Sequence, residues 1–97
     1  MTYRNELTER LYQAIVSLQT VEDCYRFFDD VCTVKEIMDM SQRLEVARQL
    51  SQGKSYQSIT EAVGASSATI GRVKRCLDYG AGGYAAALAA PDKREKE

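Results

Sequence analysis

The sequence predicts an all-α fold of six helices, on three observations. Apolar residues recur at spacings of three and four along most of the chain. No stretch alternates as a half-buried strand would. The one proline is Pro91, and the glycines at 53, 64, 71, 80, 82 and 83 suit long helices broken by short turns.

The first helix is expected from about Asn5 to Leu18. Leu7, Leu11, Ala14, Ile15 and Leu18 share a narrow arc, but Tyr12 and Val16 lie outside it. A helix apolar on more than one side does not suit the surface of a monomer. Thr20, with Asp23 three residues on, forms an approximate capping box that opens a second helix through Cys24, Phe27, Phe28 and Val31. Thr33 with Glu36 is a cleaner box and opens the third and longest helix. Its expected inner face is Ile37, Met40, Leu44, Ala47 and Leu50, and Gly53 is placed to end it in the left-handed conformation. Ser55 caps a fourth helix carrying Ile59, Ala62 and Val63, which stops at Gly64. Ser66 caps a fifth, with Ile70, Val73 and Leu77 as its buried stripe, which stops at Gly80. After Gly82-Gly83 an alanine-rich sixth helix is expected around Tyr84 to Ala90.

With 97 residues there is room for one domain, placed at 1–90, with a charged, frayed tail at 91–97. A chain of this size buries about 60–65% of its unfolded surface, which makes a lone monomer core marginal. Apolar residues at 44% and charged residues at 28% are ordinary for a soluble globular protein. No apolar run approaches membrane-spanning length, and Met1 to Glu6 lack a signal-peptide apolar stretch, so no membrane association and a cytoplasmic location are expected.

Chemistry is constrained by what the chain lacks. Cys24, Cys32 and Cys76 match no metal spacing, and there is no histidine to complete a zinc site. These cysteines sit among apolar residues at helical spacing and are expected to pack as small hydrophobes. The missing histidines also remove the commonest general base. Asp29 and Asp30, with Asp23 and Glu36, sit beside caps and helix ends, where carboxylates are ordinarily solvated or paired with the helix dipole. No catalytic residue, metal or cofactor is expected.

Charge is unevenly distributed. Residues 1–53 hold six basic and nine acidic side chains; residues 54–80 hold Lys54, Arg72, Lys74 and Arg75 against Glu61 and Asp78. Positive charge is thus concentrated in the segment that also reads as a helix-turn-helix, Ser55 to Tyr79. Val63-Gly64-Ala65-Ser66-Ser67 supplies the turn, and Ile59 and Val63 can meet Ile70 and Val73 across it. Ser66, Ser67, Ala68, Thr69 and Gly71 are small, Arg72, Lys74 and Arg75 follow, and no acid occurs from 66 to 77. Small residues at a helix N-terminus let backbone approach a groove. Hydroxyls and the dipole there can bind phosphate, and arginine can fork onto guanine or phosphate. A merely solvated helix would more often carry glutamate–lysine pairs.

Two stretches carry a family resemblance. Arg43-Leu44-Glu45-Val46-Ala47-Arg48, Gly53 and Gly64 to Arg72 resemble the Trp-repressor superfamily. Cys24 to Ile37 resembles that superfamily's YerC/YecD branch, and the likeness extends to about Leu88. The resemblance implies an intertwined homodimer built from the N-terminal helices, a partner in double-stranded DNA, and transcriptional regulation. It also places Gln57 where the first motif helix contacts DNA, and Ser67, Ala68, Thr69 and Gly71 where the recognition helix faces bases. Arg43 and Arg72 take the positions of the two arginines that embrace the tryptophan co-repressor. Where the repressor leaves room for the indole with glycine, this chain has Val73, so a small-molecule co-repressor is not expected. A protein-interaction adaptor on the same fold is the alternative, although an adaptor surface would more often expose aromatics and methionine.

Overall fold

Residues 3–90 are described by the structure, a computed structural model, and among them are six helices and no strand. They are α1 (Glu6–Val16), α2 (Val21–Val31), α3 (Val34–Ser51), α4 (Tyr56–Val63), α5 (Ser67–Tyr79) and α6 (Gly83–Ala89). The expected charged tail at 91–97 lies outside the described residues.

Most boundaries follow from side chains that partner orphan helix amides. The Thr20 hydroxyl accepts from the Asp23 amide at 3.0 Å, and the Asp23 carboxylate accepts from the Gln19 amide at 3.2 Å, one residue before the cap. Thr33 and Glu36 form the full reciprocal box, with contacts of 2.8 and 3.1 Å. These bonds favour the charged acids, so both carboxyls titrate below the usual carboxylate range. The leading cause is the amide of Gln19 for Asp23 and that of Thr33 for Glu36. The first helix departs from expectation at both ends. Asn5 is its cap rather than its first residue and makes a box with Thr8, and Ser17 ends it before Leu18.

The chain divides into two compact units, Met1–Ile37 and Met38–Glu97. The first contains α1 and α2, in neither of which is any residue buried. Phe27 and Phe28 meet edge to face at 5.3 Å and are half-buried, but Leu7, Val16 and Val21 are at least 70% exposed.

The second unit holds the buried core, formed by Val46, Ala47, Ile59, Ala65, Ile70 and Val73. Leu50, Val63, Leu77, Tyr84 and Leu88 pack against it, so α3, α4, α5 and α6 all contribute. The expected inner face of α3 is only partly realised. Ala47 is buried and Leu50 half-buried, whereas Met40 and Leu44 remain over 40% exposed, and Val46 takes a core place instead. Ala62 is likewise exposed. The cysteines also depart from expectation. Cys24 and Cys76 are exposed and Cys32 is half-buried, so none fills a core position.

Among the described residues no helix is long and apolar enough to cross a membrane, and no group of three potential ligands could hold a metal ion.

Candidate nucleic-acid interface

Two glycine turns set α4 between its neighbours. At the end of α3, the Gly53 amide bonds the Leu50 carbonyl at 3.0 Å and the Lys54 amide bonds that of Gln49 at 3.1 Å, a Schellman motif with Gly53 at φ 81°. Ser55 then caps α4 by accepting from the Ser58 amide at 3.1 Å. Gly64 closes α4 at φ 80°, a conformation that a side chain would strain. Ala65 goes into the core and Ser66 caps α5, so the turn between the helices is Gly64-Ala65-Ser66. Ile59 of α4 and Ile70 and Val73 of α5 share the core, with Val63 packed against it. This is a helix-turn-helix whose two helices are held by their own apolar contacts.

The start of α5 is capped from one side and leaves two backbone amides open. The Ser66 hydroxyl accepts from the Thr69 amide and donates to the Thr69 hydroxyl oxygen, both at 3.2 Å. Ser66 is therefore engaged in the cap, and Thr69 is half-buried beside it. The amides of Ser67 and Ala68 and the Ser67 hydroxyl have no hydrogen-bond partner among the described residues, and both residues are exposed. Unpaired amides at the positive end of a helix dipole are suited to a phosphate.

Gly71 has no structural reason to be glycine. It lies inside α5, its φ is not positive, and an added Cβ would meet nothing within 4 Å. Glycine there costs the helix about 1 kcal/mol relative to alanine. The missing side chain leaves open space on this helix.

Six basic side chains of the second unit are described: Arg43, Arg48, Lys54, Arg72, Lys74 and Arg75. Two are paired along their own helices. Arg48 grips both oxygens of Glu45, at 3.0 and 2.6 Å, which lowers the Glu45 pKa and raises that of Arg48. Lys74 reaches both oxygens of Asp78, at 3.3 and 3.0 Å, and its pKa rises chiefly through that hydrogen bond, with Tyr56 and Tyr79 adding to the field. Arg43, Lys54, Arg72 and Arg75 are exposed and make no ion pair among the described residues. Gln57 is exposed in the first turn of α4 and donates to Glu61 at 3.3 Å.

The structure thus places Ser66, Ser67, Ala68, Thr69, Gly71, Arg72, Lys74 and Arg75 on α5 or its cap, Gln57 on α4 and Lys54 in the turn before it. Arg43 lies apart in sequence, on α3. Asp78 was missed, although its spacing of four from Lys74 was visible. Val73 is 2% exposed and belongs to the core.

A family model described as Trp repressor protein matches residues 6–92. The chain belongs to the Trp repressor family. It is 50% identical over 94 residues to the uncharacterized protein YerC of Bacillus subtilis (strain 168), covering 97% of this chain and 90% of YerC. Two solved structures are similar at a TM-score of 0.85. One is a proposed Trp repressor from Staphylococcus aureus, 48% identical, with 88% of this chain and 85% of the other covered. The second is a TrpR like protein from Eubacterium eligens, 47% identical, with 88% of each chain covered. The six-helix Trp-repressor-like fold expected from the sequence is therefore the fold observed.

Proposed function

We propose that this Trp repressor family member is a cytoplasmic, sequence-specific transcriptional regulator, a repressor, that binds double-stranded DNA as a homodimer without tryptophan. The observation that carries this reading is the exposed face of α5. It joins free amides at Ser67 and Ala68, a gap at Gly71, and the unpaired guanidinium groups of Arg72 and Arg75. Arg72, Arg75 and Lys54 are assigned to phosphates, with Lys74 available to them when it leaves Asp78. Gln57, Ser67, Ala68, Thr69 and Gly71 are assigned to base edges, and Ser66 to fixing the helix start.

The homodimer reading is supported by apolar side chains that a single protomer leaves open. On α1 and α2, Leu7, Val16, Val21 and Tyr25 are all at least 60% exposed. A surface of this kind on a small chain calls for a covering partner, and a second copy meets that need. Residues 1–90 then act as one regulatory domain.

Independence from tryptophan is supported by Val73, whose methyl groups lie in the core with Ile59 and Ile70. An indole seated at that position would have to displace them, and overpacking of this kind costs about 1–3 kcal/mol. Arg72 is then free to meet phosphate.

Equilibrium binding to duplex DNA across a salt series tests the proposal. Three phosphate contacts per protomer give a dimer about six, so log K should fall against log salt with a slope of about −5. Arg75→Ala should weaken binding to all sequences and reduce the slope by about 2. A slope near zero, or no binding at low salt, contradicts DNA as the partner and favours an adaptor role for the fold.

A further inference from the structure

Asp78 is the one acid on α5, and local physics does not favour it there. It lies in the last helical turn, where unpaired carbonyls already concentrate negative charge and no basic residue offsets it. Its partner precedes it, and a base four residues before an acid is the weaker of the two helical arrangements. Packing does not account for it either, since Asp78 is exposed and outside the core cluster. What it does is hold the Lys74 ammonium with both oxygens, at 3.3 and 3.0 Å. Arg72 and Arg75 flank that lysine and have no such partner.

We infer that Asp78 is an intrahelical brake on DNA binding: by occupying the Lys74 ammonium, it withholds one positive charge per protomer from the phosphate backbone. The inference rests on the DNA-binding reading of α5 and adds a residue that limits the affinity. The Asp78 carboxylate offsets the charge of the ammonium, so the lysine adds less to phosphate binding while its intrahelical pair holds. The sequence-independent part of binding is thereby kept low, and a larger share of the remaining affinity comes from base contacts. Asp78 itself touches no DNA in this scheme; it acts through Lys74.

A double-mutant cycle on the full chain tests this. Wild type, Asp78→Asn, Lys74→Gln and the double variant would be titrated against a fluorescein-labelled random-sequence duplex of about 30 bp. Anisotropy would be followed from about 50 to 200 mM salt. Each released lysine adds about 0.9 to the salt slope, so dimeric Asp78→Asn should show a slope steeper by about 2 and bind roughly tenfold tighter at the low-salt end. The double variant should match Lys74→Gln, because once the ammonium is gone Asp78 has no charge left to withhold. Helix content should not fall in Asp78→Asn, because a negative charge has left the helix C-terminus. Equal affinity and slope for wild type and Asp78→Asn would remove the brake while leaving the DNA reading intact. A full gain persisting in the Lys74→Gln background would overturn it as well, making Asp78 a general repeller of DNA. Absence of binding by all four proteins would instead overturn the DNA reading itself.

Discussion

The two units of the chain form helices by the same local rules but differ in what they bury. In the first, α1 and α2 are well capped by Asn5 and Thr20, yet neither contains a buried residue. In the second, α4 and α5 are capped as well by Ser55 and Ser66, and they also share a core of Ile59, Ile70 and Val73. Capping selects where a helix starts; it does not supply the apolar burial that holds short helices in water. The second unit finds that burial within one protomer, and the first does not. On the proposed function, the self-supported unit would present the DNA face and the apolar unit would make the dimer.

The largest effects should come from the internally buried unit. Ile70→Ala, which empties a fully buried site, is expected to cost about 2–5 kcal/mol, as read by denaturant unfolding. The loss should be found at every protein concentration at which wild type is folded. If Ile70→Ala cost no more than an exposed substitution, the second unit would not be the stable half.

Next in size is the behaviour of Leu7 and Val16, 74% and 82% exposed in one protomer. Left in solvent, alanine at either position should change stability by less than about 0.5 kcal/mol. Covered by a second copy, each should contribute roughly 1.5–3 kcal/mol, and the unfolding midpoint should rise with protein concentration. Equilibrium sedimentation should accordingly give about twice the 10.9 kDa chain mass. A concentration-independent monomer would break the comparison at its main point.

Much of this was legible in the sequence, for reasons particular to each element. The caps Thr20, Thr33, Ser55 and Ser66 and the stops Gly53 and Gly64 depend on residues at most a few positions away, and all are seen. The face of α3 was only half legible. Periodicity assumes that one's own chain covers an apolar stripe, and Met40 and Leu44 are not so covered, while Val46 lies one step off the expected arc. Cys24 and Cys76 sit among apolar residues in sequence, yet both are exposed. Within the interface, residue types marked α5 correctly, but Ser66 bonding to Thr69 and Lys74 bonding to Asp78 depend on rotamers that composition does not reveal.

Tryptophan offers a finer test of the self-supported unit. Calorimetric titration of wild type should give no binding heat at sub-millimolar tryptophan, because Val73 is built into the core. Val73→Ala is gentler on that core than glycine and should gain heat if the valine is the obstruction. Saturable heat in wild type would contradict the assignment and make the protein a tryptophan sensor.

The smallest expected effect concerns acid. Asp23 and Glu36 have lowered pKa values, from the Gln19 and Thr33 amides respectively. Their contribution is complete above the ordinary carboxylate range, roughly pH 4, and is lost as pH falls through the lower folded values. Glu36 is exposed and Asp23 only half-buried, so the loss should be slight. Amide exchange should show the starts of α2 and α3 opening below about pH 4, while α5, capped by the uncharged Ser66, does not change. Equal opening of all three starts would show that these carboxylates are not what anchors the first two.

The central claim is that α5 reads DNA from a dimer, and selection from a pool of random duplexes by the full chain tests it most directly. The account predicts enrichment of a motif with two related half-sites about one helical turn apart. It also predicts that Thr69→Ala changes preference at one or two positions in each half, at about 1–3 kcal/mol per lost base contact. Failure to enrich any sequence, or an identical motif for Thr69→Ala together with Gln57→Ala, Ser67→Ala and Gly71→Ala, would contradict it.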